Sequence, residues 1–504
     1  MAFVDEEKAG VVYVEYSPDP YERSESKMAV GTYLGSRLST LKPPMTLPEN
    51  PIKLLGLLSR KDWLFFSRRW LWLAGPWDAF DFFTVSLTTT QLAAEFDKSI
   101  TDITWGITLV LMVRSIGAII FGLASDSYGR KWPFVVINVL FIVLELGTGF
   151  CQTFEQFLAC RALFGIAMGG LYGNAVATAL EDCPLAARGI VSGILQMGYI
   201  VGYLLCTVFA RALVDTTSHG WRPLFWFAAC PPVLIIAFRL YLPETDAYLN
   251  REKARNASKE TMHTFIRETK LSFKTHWLLL VYMVLLLAGL NFQTHGTQDL
   301  YPTMLRNQFQ FSPDGVTITN VVANLGGFTG GVTAGWLSDV FGRRLTLLVT
   351  FVVSAALLYP YTFVSTRATA APAFFEQFFI EGAMGIVPIH LLELSPGSLR
   401  TFAVGTAYQL GNLASSASST IEARLGEEFP LEPSAAGVHR YNYGRVVCIF
   451  TACCLAYNIV VVFVGPEKRG ISLEVEDDPN MQEALGQGHP GKSGMRTRHS
   501  HESE

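Results

Sequence analysis

Apolar runs of spanning length recur along the whole chain, at residues 70–92, 103–124, 132–151, 155–180, 188–213, 222–242, 276–301, 316–338, 345–365, 372–394, 398–423 and 443–465. Each is close to the ~20 residues that a helix needs to cross a bilayer. In hydrocarbon every backbone N–H and C=O must be bonded within the protein, so segments of this length fold as helices and twelve of them imply a polytopic bundle. The composition agrees: of 504 residues, 50% are hydrophobic and only 16% charged, too apolar a balance for an ordinary soluble protein. A net charge of -4 gives no nucleic-acid surface, so no nucleic-acid partner is expected. The eight cysteines have no metal-ligand spacing, and nearly all lie in apolar runs, where they read as small buried residues. No apolar stretch opens the sequence, and no cleavable signal peptide is expected.

The connections set an orientation. Arg60, Lys61, Arg68 and Arg69, then Arg130 and Lys131, Arg188, Arg343 and Arg344, Arg400, and Lys468 and Arg469 fall on one side, whereas Glu95, Asp97, Asp102, Glu427, Glu428 and Glu432 fall on the other. Positive residues mark the cytosolic face, so both termini are expected there. The sequon Asn256-Ala-Ser258 lies in a basic loop on that face and is expected to stay unmodified.

The sequence also repeats itself. Gly122-Leu-Ala-Ser-Asp126-Ser-Tyr-Gly129-Arg130-Lys131 returns 213 residues later as Gly335-Trp-Leu-Ser-Asp339-Val-Phe-Gly342-Arg343-Arg344. Glu181-Asp-Cys-Pro184-Leu-Ala-Ala-Arg188 returns 212 residues later as Glu393-Leu-Ser-Pro396-Gly-Ser-Leu-Arg400. Two motifs sharing nearly one displacement imply duplicated six-helix halves. The expected plan is an all-α membrane protein: an N-terminal tail over 1–69, largely disordered; a six-helix bundle over 70–242; a linker over 243–275; a pseudo-symmetric second bundle over 276–465; and a disordered tail over 466–504.

Most segments are apolar throughout, but the seventh ends in a polar stripe. Asn291, His295, Asp299 and Thr303 follow at intervals of four, with Thr294 and Gln298 between them, which places them along one slowly drifting helix face. Ionisable groups at bilayer depth are costly and usually face a cavity or a partner. The alternative is a polar helix end before Pro302. His295 and Asp299, four apart, suit the holding and release of one shared proton. Asn291, Thr294, Gln298 and Thr303 offer neutral hydrogen bonds to a substrate. Arg114, about 18 Å along its helix from Asp126, lies near the bilayer centre and is the expected cation for an anionic substrate. Its alternative is a structural ion pair with Asp78, Asp81 or Glu145. Gln409 and Asn412 share one face of the eleventh segment, and the repeat displacement makes Gln196 the pseudo-symmetric candidate. The other reading of these three is that they join neighbouring helices. Glu376, Glu381 and His390 form a further ionisable set, with Glu381 as a second possible proton site. Arg161 is assigned to packing or gating. No nucleophile–base pair or metal constellation is present, so no enzyme and no cofactor are expected, apart from the proton as coupling ion.

The repeated Gly-x-x-x-Asp-x-x-Gly-Arg-Lys/Arg loops, together with Arg161-x-x-x-Gly165-x-x-x-Gly169-Gly170, resemble the signatures of the major facilitator superfamily. The stretch Asn291-x-x-Thr294-His295-x-x-Gln298-Asp299-x-x-x-Thr303, with Thr297 before Gln298, is similar to the signature of the fungal Jen-type carboxylate permeases. This resemblance implies a plasma-membrane proton symporter for lactate, pyruvate and related short acids, working by alternating access. It implies substrate-binding roles for the helix 7 stripe and for the polar pair of helix 11. Asp126, Arg130, Asp339 and Arg343 then form a latch between the halves, the alternative being topogenic charge alone. One proton moving with one monoanion carries no net charge. Expected partners are the small carboxylate and its proton, the lipid bilayer, and the ubiquitin-dependent endocytosis machinery on the tails. A transporter of a larger organic or sugar acid such as sialate, or a non-transporting nutrient receptor, are the other readings; the intact latches speak against the receptor.

Overall fold

The computed structural model describes residues 30–41, 50, 74–98, 100–180, 183, 187–214, 218–241, 244, 248–249, 262–301, 304–395, 400–433 and 440–470. Among these residues the helices line up as twelve rods on the twelve apolar runs. The first half contains α2 (Ala74–Phe96), α3 (Ile100–Tyr128), α4 (Lys131–Gly149), α5 and α6 (Phe154–Gly169, Leu171–Leu180), α7 and α8 (Arg188–Gln196, Gly198–Leu213), and α9 and α10 (Arg222–Ala228, Cys230–Tyr241). The second half contains α11 (Met262–Gln298), α12 (Pro313–Phe341), α13 (Arg343–Phe363), α14 (Ala370–Leu394), α15 and α16 (Arg400–Ser415, Ser418–Glu427) and α17 (Tyr443–Val464). A two-residue hairpin, β1 (Pro430–Leu431) on β2 (Arg440–Tyr441), joins the last two rods.

Nine rods among the described residues are long and apolar enough to cross a membrane. The other three are α2, α12 and α15/α16. The last two owe this to their chemistry, because α12 carries the run Gly326-Gly327-Phe-Thr-Gly330-Gly331 and α15/α16 is rich in Ser, Thr, Gln and Asn. Small residues let helix backbones approach closely, which is how helices associate where lipid gives no hydrophobic drive. The Arg161/Gly165/Gly169 pattern shows this at atomic scale: a Cβ on Gly165 would lie 2.6 Å from the Val110 carbonyl oxygen, and one on Gly169 would lie 2.9 Å from the Arg114 Cα. The glycine pattern of one helix thus seats the helix that carries Arg114.

Arg161 itself is a packing residue. Its guanidinium donates to Glu145 at 2.9 Å and to Thr148 at 2.7 Å and lies over the Phe164 ring, with both charged partners buried. Glu145 is therefore engaged by Arg161, which corrects its assignment as a partner for Arg114. Glu145→Ala leaves Arg161 uncompensated at bilayer depth and is expected to cost about 3–5 kcal/mol, read as a lower melting temperature of the purified protein.

The loops of the duplicated motif fold alike. Gly129 and Gly342, 213 apart, both take positive φ, +94° and +93°, a conformation that glycine reaches without a Cβ penalty. The end of the bundle that carries these loops is called the basic end below. Within the segment expected to be a disordered tail, Val30–Ser39 form a helix, α1, at this end. Its Tyr33 hydroxyl donates to the Val464 carbonyl at 3.0 Å, Arg37 reaches the Gly465 carbonyl at 3.4 Å, and Arg344 donates to Thr40 at 3.2 Å. The sequon at Asn256 lies outside the described residues.

Candidate functional site

At the basic end the two halves are tied by aspartates aimed at helix N-termini. Asp126, in the last turns of α3, accepts from the backbone N–H of Phe402 at 2.9 Å and of Thr401 at 3.3 Å, the first turn of α15. Asp339, near the end of α12, accepts from the Gly189 N–H at 2.8 Å, the first turn of α7. The first N–H groups of a helix have no intrahelical acceptor and carry the positive end of its dipole, so a carboxylate completes them. Each aspartate is held in turn by the arginine of its own loop, Arg130–Asp126 at 3.3 Å and Arg343–Asp339 at 2.7 Å. Arg343 also grips Glu393 through two bonds of 3.0 and 3.1 Å. Arg130 donates instead to the Ser125 carbonyl at 2.8 Å.

One layer further in, Tyr172 of α6 and Tyr408 of α15 stack across the halves, with centroids 3.7 Å apart and planes 15° from parallel. Gln196 is tied into this pair: it accepts from the Tyr172 hydroxyl at 3.2 Å and donates to the Tyr408 hydroxyl at 3.4 Å. Gln196 and Tyr408 are 212 residues apart, so positions related by the repeat displacement touch here. Gln409 and Asn412 bond to each other at 3.2 Å, and Ser115, next to Arg114, donates to the Gln409 carbonyl at 3.3 Å. Through that contact the first-half helix bearing Arg114 lies directly against α15.

Above this floor lie the charged groups. Arg114 is buried, its guanidinium 5.1 Å from the Phe82 ring centroid and in contact with the Met168 sulfur. The Asp78 side chain lies outside the described residues. On α11, His295 Nδ1 is 3.2 Å from Asp299 Oδ1, and both side chains are partly exposed. Gln298 donates from Nε2 to Gln377 at 2.9 Å and to Glu381 at 2.7 Å, both on α14. Arg114 and Glu381 are each close enough to His295 to act on its charge, and the Tyr199 hydroxyl of α8 feels Arg114, Asp299, Glu381 and Tyr408. Asn291 is buried against α15, where a Cβ on Gly411 would lie 3.0 Å from its Nδ2; that amide nitrogen and the Thr294 hydroxyl have no hydrogen-bond partner among the described residues. Thr303 lies outside them. Glu376 bonds to Ser354 at 2.6 Å on the side toward α13, and His390 is buried.

The structure therefore brings together Arg114 from one half with His295, Gln298, Asp299, Gln409 and Asn412 from the other. It adds Tyr172, Tyr199, Gln377 and Tyr408, which do not stand out in the sequence: a tyrosine or glutamine in an apolar run carries no charge signal. Among the described residues no group of three His, Cys, Asp or Glu side chains could hold a metal ion.

Two six-helix halves, joined at one end by breakable polar contacts around a shared polar interior, define a membrane transporter rather than an enzyme. The comparisons specify the family. The model of the sugar (and other) transporter family matches residues 74–478, and the chain belongs to that family of the major facilitator superfamily. It is similar to a carboxylic acid transporter protein homolog of Saccharomyces cerevisiae, 39% identical over 90% of this chain and 77% of that one. It is also similar to a cis,cis-muconate transport protein of Acinetobacter baylyi, 27% identical over 67% of this chain and 81% of the other. Among solved structures, the proton:xylose symporter XylE, bound to 6-bromo-6-deoxy-D-glucose, superposes with a TM-score of 0.66 at 20% identity, covering 83% of this chain and 98% of that one. That likeness speaks for the fold.

Proposed function

We propose that the chain is a proton-coupled symporter that imports short-chain carboxylates, lactate and pyruvate among them, across the plasma membrane by alternating access, with both termini in the cytosol. The observation that carries this reading is the juxtaposition of a buried Arg114 from one half with a His295–Asp299 pair from the other. An anion needs a cation that keeps its charge, and coupling needs a group that gains and loses a proton beside it. Arg114 supplies the first, with two parallel donors that match a carboxylate. His295 and Asp299 share the second. The names of the two relatives support an acid as cargo, and the sequence signature of residues 291–303 supports a short one.

In this reading the conformation seen is closed toward the cytosol. The stacked tyrosines floor the site, and the aspartate contacts below them form the latch. The His295–Asp299 pair takes its proton from the outer side. The anion settles on Arg114 with help from Asn291, Thr294, Gln298, Gln409 and Asn412. Opening inward must break the three main-chain bonds to Asp126 and Asp339 and part Tyr172 from Tyr408, after which anion and proton leave. Rocking of two rigid halves about a fixed site is how repeats of this kind work.

The test is uptake of radiolabelled lactate in cells lacking their own carboxylate carriers, run across external pH. Uptake should rise as external pH falls and be competed by pyruvate. Uptake independent of pH excludes proton coupling, and competition by sialate without competition by pyruvate assigns the site to larger acids.

A further inference from the structure

One buried carboxyl group has no part in the site just described. Glu422 lies on α16 with its side chain fully buried, and neither carboxylate oxygen has a hydrogen-bond partner among the described residues. Its position is made by a glycine: a Cβ on Gly296 of α11 would lie 3.1 Å from Glu422 Oε1 and 2.6 Å from the Phe450 ring. Gly296 sits between His295 and Thr297 in the polar stripe, and Asp299 follows it by three residues on nearly the same face. Asp299 is close enough to Glu422 for the two carboxyls to act on each other. Among the described residues, Tyr361 on α13 and Cys454 on α17 also lie within electrostatic range of Glu422. No ion pair to Glu422 is formed among the described residues.

An ionised carboxylate without a hydrogen bond or counter-charge in a dry interior is strongly disfavoured, so a carboxyl in such a place holds a proton. Asp299 is in the opposite situation, with its side chain 34% exposed and a histidine at 3.2 Å. A part-exposed carboxyl within electrostatic range of a buried one is the arrangement of a proton entry group and a proton carrier. The dry side continues away from the stripe. Thr451 and Asn458, two turns apart on α17, are fully buried, and Asn458 Nδ2 donates to Gln293 of α11 at 2.8 Å. The Thr451 hydroxyl and the second polar atom of each amide keep hydrogen-bonding capacity that no described residue uses.

We infer that Glu422 is a second proton-binding residue, which receives the transported proton from Asp299 and carries it, inside the second half and apart from the anion, through the inward-opening step. In the transfer the O–H bond on Asp299 breaks as one forms on Glu422. Asp299 is left as a carboxylate held by His295. The proton leaves Glu422 for water when inward opening hydrates that side. The number of protons per anion is unchanged. This inference rests on the proton-coupled reading above.

The test uses the full chain in proteoliposomes with labelled lactate as probe and two readouts: net uptake with its accompanying proton influx, and lactate–lactate exchange at equal pH. Glutamine mimics the loaded Glu422, and exchange requires no proton release. Glu422→Gln should therefore lose net uptake and proton influx while exchange persists, and Glu422→Asp should keep both. Wild-type net uptake and proton influx in Glu422→Gln overturn the inference, as does loss of exchange in both variants, which assigns Glu422 to structure. Absence of lactate-dependent proton influx in the unmodified protein overturns proton coupling itself and is read separately.

Discussion

Asp299→Asn is expected to lower the initial rate of proton-driven lactate uptake by about 100-fold or more, the scale on which a positioned proton-transfer group contributes. The substitution keeps the shape of the side chain and its capacity to bond His295, 3.2 Å away, but it removes the group that takes the proton in the proposed cycle. Because the Asp299 side chain is one-third exposed on a helix already formed by its neighbours, the protein should reach the cell surface in normal amount. Surface labelling checks that, and uptake at acid and neutral external pH checks the rest. A variant with the rates and pH profile of the unmodified protein removes Asp299 from the coupling step.

Arg114→Lys should act on affinity. The guanidinium offers a planar fork of donors to a carboxylate, whereas an ammonium offers a point charge on a flexible stem. Loss of one charge-assisted bond of a bidentate pair corresponds to a rise in KM of about tenfold to 100-fold. The charge is conserved and Met168 and Phe82 still flank the side chain, so thermal stability should change little. An unchanged KM takes Arg114 out of the substrate site and leaves it as a packing residue like Arg161. A raised KM with unaltered melting temperature assigns it to the anion.

The fold was legible because bilayer physics leaves a signature that does not depend on detail. Spans have a length, their loops have a charge bias, and the duplicated Gly-x-x-x-Asp loops set the register between the halves to within one residue. Charged members of the candidate site stand out for the same reason, since Arg114, His295 and Asp299 lie where charge is costly. Neutral partners do not. Tyr172 and Tyr408 look like two more aromatic residues until their rings are seen to stack across the halves, and Gln377 acquires meaning only through its bond to Gln298. The burial of Glu422 is not legible in the sequence, because α16 lies at the end of a polar run, where a glutamate reads as a solvated helix end. Burial by Phe450 and the space left by Gly296 are tertiary facts. The docking of α1 was hidden by its setting in a polar, proline-containing segment.

Substitutions on the two sides of the Asp126 and Asp339 contacts differ in effect. Each contact joins an accepting carboxylate on one half to main-chain N–H donors on the other, two for Asp126 and one for Asp339, so the two partners are not equally visible to genetics. Changing Asp126 or Asp339 removes the acceptor outright, whereas any residue but proline at Thr401 or Phe402 still presents the same donor; Gly189 differs, because a Cβ there would overlap Asp339 Oδ2 and the Gly335 carbonyl oxygen. Variation between relatives at Thr401 and Phe402 therefore says little about whether the Asp126 contact is kept, whereas a side chain at Gly189 breaks the Asp339 contact. A scan of single substitutions would register the Asp126 joint as one-sided and the Asp339 joint as two-sided.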